Sequence, residues 1–111
     1  MRITIIIAAL IYWCAPAVSM TIELERRFGS ELAIEEFTIL SSTDIELFAP
    51  VIEEFVAKRP NIAIHYVLAS SRDIYSAIDT ERAAYDLVIS SAMDLQMKLV
   101  NDGHAGRFES P

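Results

Sequence analysis

The sequence predicts an α/β fold, an open parallel sheet built in the order βαβαβα. Three observations predict it. Apolar, strand-like segments begin near residues 37, 62 and 86, and that spacing matches one strand plus one helix. Each segment ends in hydroxyl residues. Each is followed by apolar residues at three-and-four spacing, the stripe of a helix that packs on one face. Strand, helix and strand in this rhythm imply parallel strands joined by right-handed crossovers.

The first unit takes residues 37–40 (FTIL) as strand and Ser41-Ser42-Thr43-Asp44 as turn, with Ile45, Phe48, Ile52, Phe55 and Val56 as the helical stripe. Pro50 complicates the helix, because proline lacks an amide donor and crowds the preceding turn. The pattern therefore predicts a tight turn over residues 44–49, regular helix over 50–59, and a stop at Pro60. In the second unit residues 62–69 (IAIHYVLA) are almost continuously apolar, as in a strand covered on both faces. Ser70-Ser71-Arg72-Asp73 then opens a helix with Ile74, Ala77 and Ile78 on one side. The third unit is residues 86–90 (DLVIS), Ser91-Ala92-Met93-Asp94, and a helix in which Met93, Met97 and Val100 run beside Leu95 and Leu99. Asn101-Asp102-Gly103 closes it, with Gly103 free to take the left-handed C-cap conformation.

Ahead of these units, residues 1–19 read as a signal peptide. Arg2 precedes an apolar run over residues 3–14, and Pro16 leads to the small-residue exit Ala17-Val18-Ser19. The run is short for the ~30 Å of a bilayer's hydrocarbon, which fits a cleaved secretory signal. Cleavage after Ser19 would leave a periplasmic chain starting at Met20 and free of thiols, since Cys14 is the single cysteine. Residues 20–35 alternate short apolar and charged groups without a clean period, and read as an N-terminal leader with one or two helical turns. Residues 36–111 are the domain proper.

Composition narrows the function. The 111 residues carry 9 Lys and Arg against 16 Asp and Glu, a net charge of -7 with the basic residues scattered, so no stripe exists to displace counterions from nucleic acid. An apolar fraction of 53% excludes disorder. There is no Gly-rich phosphate loop, no His pair at metal spacing and no Ser-His-Asp arrangement in nucleophile-elbow order. No enzyme, catalytic residue, metal or cofactor is expected. His65 reads as a packed or solvent-facing strand residue and His104 as a solvated loop residue. Met93 and Met97 have the spacing of core, not of a metal box.

The feature pointing to function is a set of three capping boxes, Thr43 with Glu46, Ser70 with Asp73 and Ser91 with Asp94. After three parallel strands, all three helix N-termini must lie along the carboxyl edge of the sheet, where open α/β sheets bind ligands. Ser41, Ser42, Ser71 and Ser90 add hydroxyls there, beside the unpaired first-turn amides. The expected ligand is a small polar or anionic molecule, bound by Ser42, Thr43, Ser71, Ser91 and Ala92.

A family resemblance rests on residues 37–44 (FTILSSTD), Pro50, Phe55 and Pro60 at regular spacing, Ile64, Tyr66 and Ser70-Ser71, residues 85–94 (YDLVISSAMD), and residues 99–105 (LVNDGHA). The chain resembles the N-terminal part of bacterial extracellular solute-binding proteins of ABC importers, nearest the iron(III)-type branch and with some similarity to phosphoglycerate-transport regulatory binding proteins. The resemblance covers about residues 36–111. It implies a type II periplasmic binding fold, in which two lobes close on a solute and deliver it to an ABC permease in the inner membrane. This chain would supply the first part of lobe one, as a monomeric fragment. The solute classes implied are an iron complex or a phosphorylated organic acid. Iron itself is not carried over, because the tyrosine pair that iron binders use lies beyond the matched part.

Two other readings have the same elements. An exported sensory input domain of a two-component or transport-regulatory system would carry the same residues. A receiver-like signalling domain shares the βαβαβα order but needs a phosphorylatable Asp where this chain has Ser90-Ser91. The third strand, around Leu87 and Ile89, is expected to leave a hydrophobic edge open, which favours aggregation or loose packing.

Overall fold

A computed structural model describes residues 20–110 of the chain; the signal-like segment lies outside them. The elements are β1 (Leu24–Phe28), β2 (Glu35–Ser41), α1 (Ile45–Lys58), β3 (Ile62–Leu68), α2 (Ser71–Asp79), β4 (Leu87–Ile89) and α3 (Met93–Asn101). From β2 onward the order is the predicted βαβαβα. The sheet order is β1-β3-β2-β4, with β2 parallel to both β3 and β4.

β1 departs from the sequence reading. Residues expected to be a leader with helical turns form an edge strand antiparallel to β3, in register Leu24 with Leu68 through Phe28 with Ile64. The sheet is therefore mixed, not purely parallel. The signal was weak because three of the five residues are charged, so the alternation of a half-buried strand is hidden. Only Phe28 is buried. Arg26 stacks on Phe28 at 4.6 Å and reaches Glu53, while Arg27 bonds Glu36 at 2.8 Å. After β1 the chain crosses the end of β3, where Gly29 has a φ of +108° and a β-carbon would stand 3.0 Å from the Ile62 carbonyl oxygen. Positive φ and close backbone approach together require glycine.

Two apolar layers sandwich the sheet. On one face α1 sets Ile45, Ala49 and Ile52 against Phe28, Ile64 and Tyr66. On the other, α2 and α3 set Ile74, Ile78 and Leu99 against Leu40, Val67 and Ala69. β3 supplies both layers through alternate residues, which is why it reads as continuously apolar.

Pro50 does not split the first helix. α1 is continuous over Ile45–Lys58 with Pro50 inside it. The missing amide would have served only the Glu46 carbonyl, near the helix start, and the exposed ring points away from the core stripe. Something of the tight turn survives, since the Leu47 amide bonds the Asp44 carbonyl at 3.1 Å, one residue short of α-helical spacing.

α3 ends as expected and packs otherwise. Gly103 has a φ of +82°, its amide bonds the Val100 carbonyl, and the His104 amide bonds the Leu99 carbonyl, a Schellman motif. Of the two apolar rows, however, only Leu99 is buried, while Met93 is 70% exposed and Met97 and Val100 are each 50% exposed. The row taken as core faces outward. His104 is likewise not a solvated loop residue: its ring lies 3.3 Å from Asp79 with 16% of the side chain exposed, pinning the end of α3 to the end of α2.

Candidate functional site at the carboxyl edge of the sheet

Strand order reverses at β2, since the chain moves from β2 to β3 on one side and then to β4 on the other. The crevice of an open α/β sheet forms outside such a reversal, at the carboxyl ends of the strands. The loops after β2, β3 and β4 meet there, joined by serines.

Ser42 and Ser91 connect the β2 and β4 loops: the Ser91 amide donates to the Ser42 hydroxyl at 3.0 Å, the two hydroxyls lie 3.4 Å apart, and the Ser42 amide donates to the Ile89 carbonyl at 3.0 Å. Ser90 connects the β4 loop to α2 by donating to the Ser71 hydroxyl at 3.1 Å, and it accepts from the Ala92 amide at 3.1 Å. Ser41, fully buried, accepts from the Thr43 amide at 3.0 Å. The Thr43 carbonyl accepts from the Tyr66 hydroxyl at 2.6 Å. Ser42, Thr43, Ser71, Ser91 and Ala92 are thus brought to one edge.

Their hydrogen-bonding roles differ from those expected. The serine hydroxyls and several of the loop amides bond one another, so they shape the edge as well as line it. Only one of the three capping boxes forms. Ser70 accepts from the Asp73 amide at 3.1 Å and donates to the Asp73 carboxylate at 2.8 Å. For α1 the cap is Asp44, which accepts from the Glu46 amide at 3.1 Å, in place of Thr43. For α3 the cap position is Ala92, one residue after Ser91, and no side chain caps the helix among the described residues.

This assignment changes the electrostatics. The N-terminus of α1 is capped by the Asp44 carboxylate and that of α2 by the Ser70 hydroxyl, with Asp73 in its first turn, leaving less positive potential there for a ligand. α3 presents its first-turn amides without a side-chain acceptor, although Asp94 stands in that turn. Sequence reasoning missed this, and the available signal was Ala92 itself, a residue that cannot cap. Beneath the loops, burial raises the pKa of the Tyr66 phenol; the Ser41 hydroxyl opposes the shift and Asp44 adds to it. The phenol therefore stays a neutral donor to Thr43. Among the described residues no group of three or more His, Cys, Asp or Glu side chains is placed to hold a metal ion, and no helix is long and apolar enough to cross a membrane.

No protein-family model matches the chain, and no curated protein sequence matches it. A solved structure does: the substrate-binding protein of an ABC transporter from Agrobacterium tumefaciens is 34% identical, with a TM-score of 0.73 over 82% of this chain. The chain is homologous to that protein and shares part of its fold. It spans 29% of that protein's length.

Proposed function

We propose that the chain acts in solute uptake, as part of the extracellular solute-binding component of an ABC importer, and that the serine-linked edge is one wall of its binding site. The observation that supports this reading most is the convergence of the β2, β3 and β4 loops, through Ser42, Ser71, Ser90 and Ser91, at the strand-order reversal of a fold homologous to a transporter's substrate-binding protein. In this reading Ser42, Thr43, Ser71, Ser91 and Ala92 contact the solute, and the first-turn amides of α3, which no side chain caps, add donors.

The solute is small and polar or anionic, an iron complex or a phosphorylated organic acid being the classes the sequence suggests. Residues 1–19 direct export to the periplasm and are removed after Ser19, and the partner for delivery is an inner-membrane ABC permease. A single uncapped helix contributes roughly 0.3–1 kcal/mol toward an anion, whereas micromolar binding needs about 8 kcal/mol. One wall alone therefore binds with a dissociation constant of roughly 1 mM or weaker.

Titration calorimetry with inorganic phosphate, phosphoglycerate and ferric citrate tests the reading. Weak saturable heat for one of the three, lost in Ser42→Ala together with Ser91→Ala, supports it. No binding to any of them, or binding unaffected by those substitutions, contradicts it.

A further inference from the structure

Three successive backbone amides in the loop after β4 each bond a side-chain oxygen. The Ser91 amide donates to the Ser42 hydroxyl and the Ala92 amide to the Ser90 hydroxyl, at 3.0 and 3.1 Å. The Ser90 amide donates to the side chain of Gln96 at 3.3 Å. Because the donor is an N–H, the acceptor is the carbonyl oxygen of that side chain. Gln96 holds the same loop a second time through its backbone, whose amide donates to the Ala92 carbonyl at 3.1 Å. One residue of α3 therefore grips the loop at Ser90 and at Ala92, on either side of Ser91.

Ser90 is the point at which the candidate site is joined. Its hydroxyl donates to Ser71 as well as accepting from Ala92, so the β4 loop, the start of α2 and the start of α3 meet on it. Fixing the Ser90 backbone thus fixes Ser71, Ser91 and Ala92 relative to one another. α3 has Ala92 at its cap position and no side-chain cap. A serine or aspartate cap would fix the start of the helix by accepting from its first-turn amides. Gln96 fixes it from the following turn, through a residue ahead of the helix, and leaves those amides to the site. Gln96 is itself half-buried and lines a cleft with Leu87, Val88, Leu99 and Val100, so packing supports the side chain that holds the loop.

We propose that Gln96 is a positioning residue for the solute site: its side-chain carbonyl holds the Ser90 amide and so sets where Ser71, Ser91 and Ala92 stand against the solute, without touching the solute itself. The proposal rests on the site assigned above. Loops held in place before binding lose less conformational freedom when the solute arrives, so release of this one bond weakens affinity.

Gln96→Leu, which removes the acceptor at similar size, tests this in the full chain. Two readings are compared with the wild type: amide hydrogen exchange without solute, and titration calorimetry with inorganic phosphate, phosphoglycerate and ferric citrate. Faster exchange at Ser90, Ser91 and Ala92 is expected, with a dissociation constant raised roughly threefold to tenfold, the effect of one hydrogen bond. Gln96→Glu keeps an acceptor oxygen and should restore slow exchange at Ser90. Met97→Ala, at a half-exposed neighbour on the same helix, should leave both readings at wild-type values. Gln96→Met serves the same comparison if circular dichroism shows that the leucine variant does not fold. Unchanged exchange at Ser91 and Ala92, no recovery in Gln96→Glu, an equal loss in Met97→Ala, or wild-type affinity without the Gln96 carbonyl each overturns the role of Gln96 and leaves the site standing. A wild-type chain that binds none of the three solutes overturns the site, and the role of Gln96 with it, before any variant is made.

Discussion

The Tyr66 hydroxyl donates to the Thr43 carbonyl at 2.6 Å, tying the middle of β3 to the loop that opens α1. Tyr66 is fully buried and its ring centroid lies 6.1 Å from that of Phe48, so one side chain joins core packing to the geometry of the candidate site. Tyr66→Phe keeps the ring and strands the carbonyl. A loss of about 1–2 kcal/mol in urea unfolding is expected.

The same tyrosine gives the fold an alkaline limit. Burial raises the pKa of Tyr66, and burial with Glu81 nearby raises that of Tyr85. The unfolded chain then loses these protons at lower pH than the folded one. Their stabilisation is complete below the unfolded value of about 10 and is lost as pH rises through the higher folded values. Thermal melts followed from pH 8 to 11 should show stability falling above about pH 10, with a shallower fall in Tyr66→Phe.

Helix caps separate the two serines that sequence treats alike. Ser70→Ala removes a reciprocal cap and should cost about 1 kcal/mol. Ser91→Ala removes no cap, because the cap position of α3 is Ala92, and should change stability by less than about 0.5 kcal/mol. Equal losses in paired denaturation curves would show that Ser91 caps α3 after all.

Gly29 and Gly103 both have positive φ, but only Gly29 is crowded. Gly103→Ala meets nothing within 4 Å and bears the left-handed strain alone, about 1 kcal/mol. Gly29→Ala adds a clash with the Ile62 carbonyl and the Ala63 backbone, and should cost clearly more, up to roughly 3 kcal/mol. Melting of the two variants side by side checks the order.

The parallel βαβ units were legible because apolar period and hydroxyl punctuation agree in each of them, as at Ile74, Ala77 and Ile78, all buried on α2. β1 was not, because Glu25, Arg26 and Arg27 mask a strand that is held by backbone pairing to β3. α1 shows the reverse error: Pro50 was given too much weight, though near a helix start it removes a single bond. The loops that meet at the edge could be named from strand order, but which amides stay free could not. That depends on a one-residue shift in the caps, Asp44 for Thr43 and Ala92 for Ser91, set by tertiary bonds such as Tyr66 to Thr43 and Ser42 to Ser91.

Solute is proposed to meet this chain at the serine-linked edge, on one wall only. Backbone amide NMR during titration with phosphate and phosphoglycerate, to roughly tenfold above a 1 mM dissociation constant, tests it most directly. Saturable shifts confined to the loops containing Ser42, Thr43, Ser71, Ser91 and Ala92 and to the first turn of α3, with millimolar affinity, are expected. Shifts centred elsewhere, such as at the His104 and Asp79 pair, or micromolar saturation by this chain alone, would contradict it.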